Sequence, residues 1–175
     1  MQKRGQELIE AVIYILIALA IMGLLMAVAY PKIEKMKDKA IIDQSIDMLE
    51  KIDSTITEMR RGGPGNQRIV ELGIKKGFLK IEGVQDDVIF EMESAYTYSE
   101  PGQDYLQGNI LVHTKKIGDA NTITLTLRNN GEYNLTYNGE DKIKDLTRAS
   151  LPYNLLLSNK GEGTNEKIII DIILK

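Results

Sequence analysis

Hydrophobic and polar residues follow three successive patterns along the chain. From Ala11 to Tyr30 no residue is charged and nearly all are apolar. From Ile33 to Met59 apolar residues recur mostly at intervals of three and four, with Lys, Asp and Glu between them, which predicts an amphipathic helix. From Asn66 onward the period falls to two, as in β-strands. The pattern therefore predicts a long helix followed by a β-rich region.

The uncharged segment is long enough to cross a bilayer, since twenty helical residues span about 30 Å. A core helix of a soluble protein is a weaker interpretation, because a helix that is apolar all round needs partners on every side. A cleaved secretory signal ending at Ala27-Val28-Ala29 is the other alternative. Two observations argue against a secretory signal. The apolar stretch exceeds the usual length of about 7 to 15 residues, and Glu7 and Glu10 lie where such a signal has a positively charged region.

The helix is predicted to continue past Pro31 to the paired arginines Arg60 and Arg61. Proline removes one backbone donor and loosens the helix without necessarily ending it. The positive charges of the arginines interact favourably with the negative C-terminal end of the helix dipole. The following Gly62-Gly63-Pro64-Gly65 is predicted to end the helix. A helical rod over residues 6–61 would be roughly 80 Å long at 1.5 Å per residue.

Seven short runs after the helix are rich in β-branched and aromatic residues and are separated by turn residues. These runs are RIVELGI, GFLKIEG, DVIFEME, GNILVHT, TITLTLR, EYNLTYN and KIIIDIIL. Asn129-Asn130-Gly131 predicts a hairpin between TITLTLR and EYNLTYN. The fold class is therefore α+β, with a long N-terminal helix, transmembrane and then amphipathic, before an antiparallel β-sandwich-like head over residues 66–175.

Two segments of the predicted head do not show a clear strand pattern. The polar connection 94–108 carries Tyr96, Tyr98 and Tyr105, which either contact another subunit or receptor or cover an open end of the sandwich. The run DKIKDLTRASLPYNLLL contains Pro152, which argues against a central strand there.

Composition and charge disfavour several classes of function. The 175-residue chain has a net charge of -3 with scattered Lys and Arg, so nucleic acid is not an expected partner. It has no cysteine, which excludes disulfides and thiolate metal sites but leaves the compartment open.

No catalytic constellation is recognisable in the sequence. His113 is the single histidine and lies in a β-rich run, without a cysteine to complete a nucleophilic pair or a metal site. The stretch RRGGPGNQR follows a helix and precedes a strand, whereas a phosphate-binding loop runs from a strand into a helix. Asp86-Asp87 is typical of a turn, and Glu91 and Glu93 share one strand face. We expect no enzyme activity, no cofactor and no metal.

The N-terminal stretch KRGQELIEAVIYILIALAIMGLL resembles the N-terminus of type IV pilins. In that family a short basic leader ends in Gly, the cut follows that Gly, and a Glu stands fifth in the mature chain before an apolar helix. By this resemblance the leader would be residues 1–5, the cut would follow Gly5, Gln6 would become the N-terminus, and Glu10 would be the fifth residue of the mature chain. Gln first and Glu fifth are similar to the archaeal class III signal peptide, although Leu8 replaces the frequent Ser and makes LIE similar to the bacterial version.

The resemblance implies a structural subunit of an extracellular filament. A membrane-embedded aspartyl prepilin peptidase would remove the leader, and a pilus assembly platform would polymerise the subunits by packing residues 11–30 into a filament core. The chain would reside in the cell membrane before assembly and afterwards in an extracellular filament or at the cell surface. Its partners would be the peptidase, the membrane, the platform and further copies of itself.

Glu10 has a physical rationale within that interpretation. A cut after Gly5 leaves an ammonium on Gln6, with an ordinary pKa of about 7.7 to 8. An unpaired carboxylate in an apolar filament core costs several kcal/mol, so pairing Glu10 with a neighbouring amine would favour one axial register. The alternative is that Glu10 lies at the membrane interface and interacts with the positive end of its helix.

Two further hypotheses remain at this stage. Basic residues on both sides of the span, Lys3 and Arg4 before it and four lysines after it, leave its orientation undecided. The main alternative is a single-pass anchored β-sandwich that acts as a binding or stator protein of the archaellum or cell envelope, since archaellum stator proteins combine a similar N-terminal helix with a β-sandwich. A secreted enzyme is the third. Asn134-Leu135-Thr136 is a glycosylation sequon, so Asn134 would accept a glycan if the head is exported.

Overall fold

The computed structural model describes the backbone of residues 2–163 and 166–175, and the side chains within those ranges from residue 9 onward. Within these ranges the chain forms one long helix, α1 (Gln2–Arg61), followed by ten strands. The strands are β1 (Gln67–Leu72), β2 (Phe78–Glu82), β3 (Asp87–Ser94), β4 (Asp104–Gln107), β5 (Ile110–Ile117), β6 (Ala120–Leu127), β7 (Tyr133–Tyr137), β8 (Ile143–Thr147), β9 (Tyr153–Glu162) and β10 (Ile168–Leu174). The α+β class is confirmed.

Helix α1 continues through Pro31 and ends at the predicted position. The Gly62 amide donates to the Glu58 carbonyl at 3.0 Å, and Gly63 has a φ of 78°, which suits a residue without a Cβ. The Gly65 amide then donates to the Asn159 carbonyl of β9 at 2.8 Å. RRGGPGNQR is therefore a helix stop that leads the chain into the sheets.

Internal contacts divide the chain into two compact units. The first unit extends to Lys37, and the second comprises Asp38–Lys175. The second half of α1 thus belongs to the same unit as the strands.

The ten strands form two sheets within the second unit. One has four strands in the order β1-β9-β10-β7, and the other has six in the order β4-β5-β6-β3-β2-β8. β7 and β10 run parallel, whereas the other pairs among the described strands are antiparallel. This parallel pair departs from the purely antiparallel head that the sequence predicts.

Alternation along the strands gives each sheet an inner face. In β3, for example, Val88, Phe90 and Met92 are buried while the residues between them are partly or fully exposed. The second half of α1 adds six buried apolar side chains to the same core, and burying each is worth about 1.5 to 3 kcal/mol. They are Ile42, Ile46, Leu49, Ile52, Ile56 and Met59.

The beginning of the predicted amphipathic stripe is not covered. Ile33 and Met36 are 49% and 72% exposed, and Ala40 is also exposed although Ile42 is buried. The buried positions recur at threes and fours, and the same rhythm continued backward from Ile42 reaches Asp38 rather than Ala40. The sequence pattern had joined two different faces of the helix.

The predicted hairpin at Asn129-Asn130-Gly131 is wrong. β6 pairs with β3 on one side and with β5 on the other, so β7 cannot pair with it. β7 pairs instead with β10 in the other sheet. The turn itself exists, since Asn130 and Gly131 have φ values of 53° and 75°. The buried Asn129 Oδ1 accepts the amides of Glu132 and Tyr133 at 2.9 and 3.0 Å, so the turn carries the chain from one sheet to the other.

Three strands were not predicted from the sequence. β4 lies inside the expected connection 94–108, β8 lies within the unassigned run around Pro152, and β9 begins in that run and extends beyond it. β9 is a central strand between β1 and β10, contrary to the argument from Pro152. Pro152 directly precedes the strand, where its missing amide does not interrupt the ladder.

Candidate assembly segment and its head

The apolar segment of α1 is exposed along its whole described length. Its large hydrophobic side chains from Ile9 to Tyr30 are between 49% and 72% exposed, and the most hydrophobic 18-residue window is 0% buried. By length and composition α1 is apolar enough to cross a membrane. A helix with such a surface could anchor the chain in a membrane.

Glu10 stands at the beginning of this exposed segment. The Tyr14 hydroxyl, one turn later, donates to Glu10 Oε1 at 3.3 Å, and this contact is exposed. One neutral hydroxyl leaves most of the acceptor capacity of the carboxylate free for a partner from outside the chain. The backbone of α1 includes Gly5 and Gln6, but their side chains lie outside the described residues, so processing there stays a prediction.

Asp38 is a buried carboxylate that the sequence pattern had assigned to the polar face of the helix. Its side chain is 4% exposed. Oδ1 accepts from Lys76 Nζ at 2.6 Å, and Oδ2 accepts from the Ala95 amide at 2.7 Å. Both oxygens are used, so Asp38 connects the helix to the end of β3 and to the segment before β2. Its position four residues before Ile42, in step with the buried face, was the available signal.

Other polar contacts fix α1 to the sheets between Asp38 and its end. Lys75 Nζ donates to Gln44 Oε1 at 3.0 Å, and Asn109 Nδ2 donates to Asp53 Oδ2 at 2.9 Å. Near the end, Asn159 Nδ2 donates to the Met59 carbonyl at 3.0 Å. These contacts join the helix to both sheets, because Asn109 precedes β5 and Asn159 lies in β9.

Arg60 binds the start of β7 in two ways. It forms an ion pair with Glu132, and its guanidinium lies 5.9 Å from the centre of the Tyr133 ring. Burial raises the pKa of the Tyr133 hydroxyl above its ordinary value, and the Asp53 charge adds to this while Arg60 opposes it. Burial in the core thus favours the neutral form of Tyr133.

Tyr96 and Tyr98 pack against the core. This agrees with the interpretation that the tyrosines of connection 94–108 cover the sandwich rather than contact another protein. Both are half-buried, and their rings meet edge to face with centres 6.3 Å apart. Burial raises the pKa of Tyr98 to about 12, and the Asp43 carboxylate adds to the shift through its charge and a hydrogen bond from the hydroxyl. Tyr105 differs, since it is 45% exposed on β4 and remains available for contact.

His113 is paired with an acid across two strands. Its Nδ1 lies 2.7 Å from Asp104 Oδ1, and the two residues are register partners on β5 and β4. A protonated Nδ1 donates to this carboxylate. Over residues 9–163 and 166–175 there is no group of three His, Asp or Glu side chains arranged to hold a metal.

Asn134 lies in the paired strand β7 and is half-buried. The hydroxyl of Thr136, the third residue of the sequon, is buried and donates to Asp171 Oδ1 at 2.9 Å. In the folded chain the Thr136 hydroxyl is therefore engaged by Asp171. Glycosylation at Asn134 stays a prediction.

Comparisons with protein-family models, with curated proteins and with solved structures give no match to this chain.

Proposed function

We propose that this chain is the structural subunit of an extracellular type IV pilus-like filament, in which it contacts further copies of itself through the N-terminal helix. The observation that carries the proposal is the exposed, uncharged segment over residues 11–30, with Glu10 directly before it. In this proposal a prepilin peptidase cuts after Gly5, and an assembly platform polymerises the processed subunits.

Physical chemistry supports helix packing as the driving force of assembly. A hydrophobic segment of this length is stable in lipid, and in a filament the same surface would be covered by neighbouring helices. Glu10 is costly in an apolar environment unless a cation pairs with it. The new amine of Gln6 in a neighbouring subunit supplies such a cation, which gives the acid a role in setting register.

The organisation of the second unit supports the same proposal. Asp38–Lys175 contains its own hydrophobic core, to which α1 contributes from Ile42 onward. The apolar segment before it is therefore not needed to complete the core of the head. The subunit would be held first in the cell membrane and then in a filament at the cell surface.

A second candidate is a single-pass anchored binding or stator protein that does not polymerise. The exposed edge strand β4 favours it, because Tyr105 and Leu106 are 45% and 58% exposed there. Unpaired edge strands with exposed side chains are suited to binding another protein.

Mass spectrometry of the mature N-terminus, measured separately on sheared filaments and on membranes, tests the proposal. A filament fraction that contains the chain starting at Gln6 is the expected result, and the mass also reports cyclisation of this glutamine. An intact Met1 found only in membranes would support the anchored protein, and a soluble product starting at Tyr30 would support secretion. Either of these results contradicts the filament proposal.

A further inference from the structure

The end of α1 lines a cavity of about 520 Å³ together with residues from both sheets. Six residues line this cavity, and five of them have polar side chains. They are Thr57, Arg60 and Arg61 of α1, Asn109 between β4 and β5, Glu132 directly before β7, and Ile168 at the start of β10. All six belong to the second unit, so the cavity lies within the head.

Helical spacing explains why three of these residues come from one element. Thr57, Arg60 and Arg61 are related as i, i+3 and i+4, which places them on one face at the end of α1. Two guanidinium groups and one hydroxyl therefore reach the cavity from the same side.

The charges that line the cavity do not balance. Glu132 forms an ion pair with Arg60, whose guanidinium also lies over the Tyr133 ring. Within the part of the chain that the structure describes, the exposed side chain of Arg61 forms neither a hydrogen bond nor an ion pair. Two arginines and one glutamate give the lining residues a net charge of +1. The cavity therefore has an excess of positive charge, carried by Arg61.

Hydrogen-bond donors are also in excess in the cavity. A guanidinium carries five N–H donors, and Glu132 accepts from the Nη1 of Arg60. The Nε of Arg60 is buried and has no acceptor among the described residues. A buried donor without an acceptor is uncommon in folded proteins, and water or an ion often satisfies such a group. In the same described ranges, the Thr57 hydroxyl takes part in no hydrogen bond.

The end of the helix does little to repel an anion from this cavity. The C-terminal end of a helix dipole is negative because its last carbonyls lack donors. In α1 the carbonyls of Glu58, Met59 and Arg60 already accept hydrogen bonds at 3.0, 3.0 and 3.4 Å. Their donors are the two glycines that follow the helix and Asn159 of β9.

We propose that this cavity binds the oxyanion of a small polar ligand, either a phosphate or a carboxylate, with Arg61 as its main partner. The paired N–H groups of arginine match the oxygen atoms of both anions. The Thr57 hydroxyl would donate to the same oxyanion. This site goes beyond the filament function, because it lies in the head and requires no polymerisation.

Nuclear magnetic resonance of the full-length chain in neutral detergent tests this site. Inorganic phosphate and acetate are the probes, and chloride at the same ionic strength is the reference. Arginine side-chain N–H resonances are followed and are assigned with Arg61→Gln and Arg148→Gln. We expect the Arg61 resonance to shift to saturation with phosphate, with acetate or with both, but not with chloride. Arg148 is exposed and does not line the cavity, so its resonance should show no saturation.

Substitutions of the lining residues should change the affinity in opposite directions, measured through the Arg60 resonance. Arg61→Gln should weaken binding about tenfold, because a charge-assisted hydrogen bond is lost. Thr57→Val keeps the shape of the side chain and should weaken binding about threefold through loss of the hydroxyl. Glu132→Gln should strengthen binding about threefold, because it removes a carboxylate that repels the anion and competes for Arg60.

Circular dichroism of each variant is recorded first, and only folded variants are titrated. If Glu132→Gln does not fold, Arg61→Gln and Thr57→Val still test the site. Shifts that rise linearly with probe concentration, or that are equal at Arg61 and Arg148, overturn the proposal. An affinity that is unchanged in both Arg61→Gln and Thr57→Val also overturns it, because these two residues supply the proposed donors.

Discussion

Asp38 and Glu10 are two carboxylates on the same helix that differ in their hydrogen-bond partners. Asp38 is buried, and both its oxygens are bonded to donors from elsewhere in its own unit. Glu10 is exposed, and its described partner is the hydroxyl of Tyr14. Asp38 therefore needs nothing outside the chain, whereas Glu10 retains capacity for an external cation.

Replacing Asp38 tests its role in holding the helix to the sheets. Asp38→Asn keeps the size of the side chain but removes its charge. Its amide nitrogen cannot accept a hydrogen bond, so only one of the two donors, Lys76 Nζ or the Ala95 amide, keeps its acceptor. We expect a loss of about 2 kcal/mol in the free energy of unfolding. The loss is limited because Lys76 is partly exposed, and water can replace some of its interaction with the carboxylate. Urea unfolding in detergent, followed by tyrosine circular dichroism, measures the change.

Asp47→Asn is the control for this experiment, because Asp47 is exposed and forms no ion pair among the described residues. It should change the unfolding free energy by less than about 0.5 kcal/mol. Equal unfolding midpoints for the two variants would show that the Asp38 contacts contribute nothing.

Tyr98 gives the head a dependence on alkaline pH. Its folded pKa is about 12, above the ordinary tyrosine value of about 10. A raised folded pKa means that the stabilising contribution is complete below pH 10 and is lost as the pH rises from about 10 through 12. Tyr98→Phe should remove one late-ionising group from an absorbance titration at tyrosinate wavelengths and reduce the loss of stability in this window.

Asp43→Asn provides a second measurement of the same site, because it removes the charge beside the Tyr98 hydroxyl. The late-ionising tyrosine should then titrate at lower pH, although burial keeps it above the ordinary value. A titration curve that is the same in wild type and both variants contradicts the assignment.

At the scale of elements, periodicity located the helix end and seven of the strands, because these depend on local sequence. It failed where pairing was decided by distant residues. The turn at Asn130-Gly131 was recognisable, but the sequence could not show that β3 and β5 already occupy both sides of β6. β9 was not predicted because its residues do not alternate between buried and exposed. Leu157, Ser158 and Asn159 are three consecutive buried residues, as is common in a strand in the middle of a sheet.

Gly77, before β2, is a position where the element requires glycine. Its φ is 78°, and a Cβ there would overlap the Glu91 carbonyl oxygen and lie 2.7 Å from Met92 Cβ. Gly77→Ala should destabilise the head by at least about 3 kcal/mol, since backbone strain adds to overlap with the neighbouring strand β3. Urea unfolding midpoints measure this loss.

Gly118→Ala separates the two causes. Gly118 has a similar φ of 62°, but a Cβ there meets nothing within 4 Å. Its cost should be limited to about 1 kcal/mol of backbone strain. If both variants lose equal stability, the close approach of Gly77 to β3 has no energetic weight.

At the scale of the whole molecule, the sequence predicted the order of helix and sheets and the exposed apolar segment. The helix is apolar all round before Pro31 and one-sided after it, and this difference is visible without coordinates. It could not show the division of the strands into two sheets or the parallel pairing of β7 with β10, because these contacts join residues far apart in sequence. The burial of Asp38 was hidden for the same reason, since its partners lie 38 and 57 residues away.

The filament proposal makes its strongest claim about Glu10. The decisive measurement is the amount of chain in sheared filaments relative to membranes for wild type, Glu10→Ala and the control Glu34→Ala, which removes another exposed carboxylate of α1. We predict normal membrane levels and leader removal in all three, with filaments lost only in Glu10→Ala. Undiminished filaments in Glu10→Ala, or their equal loss in Glu34→Ala, would contradict the proposed role of Glu10 in assembly.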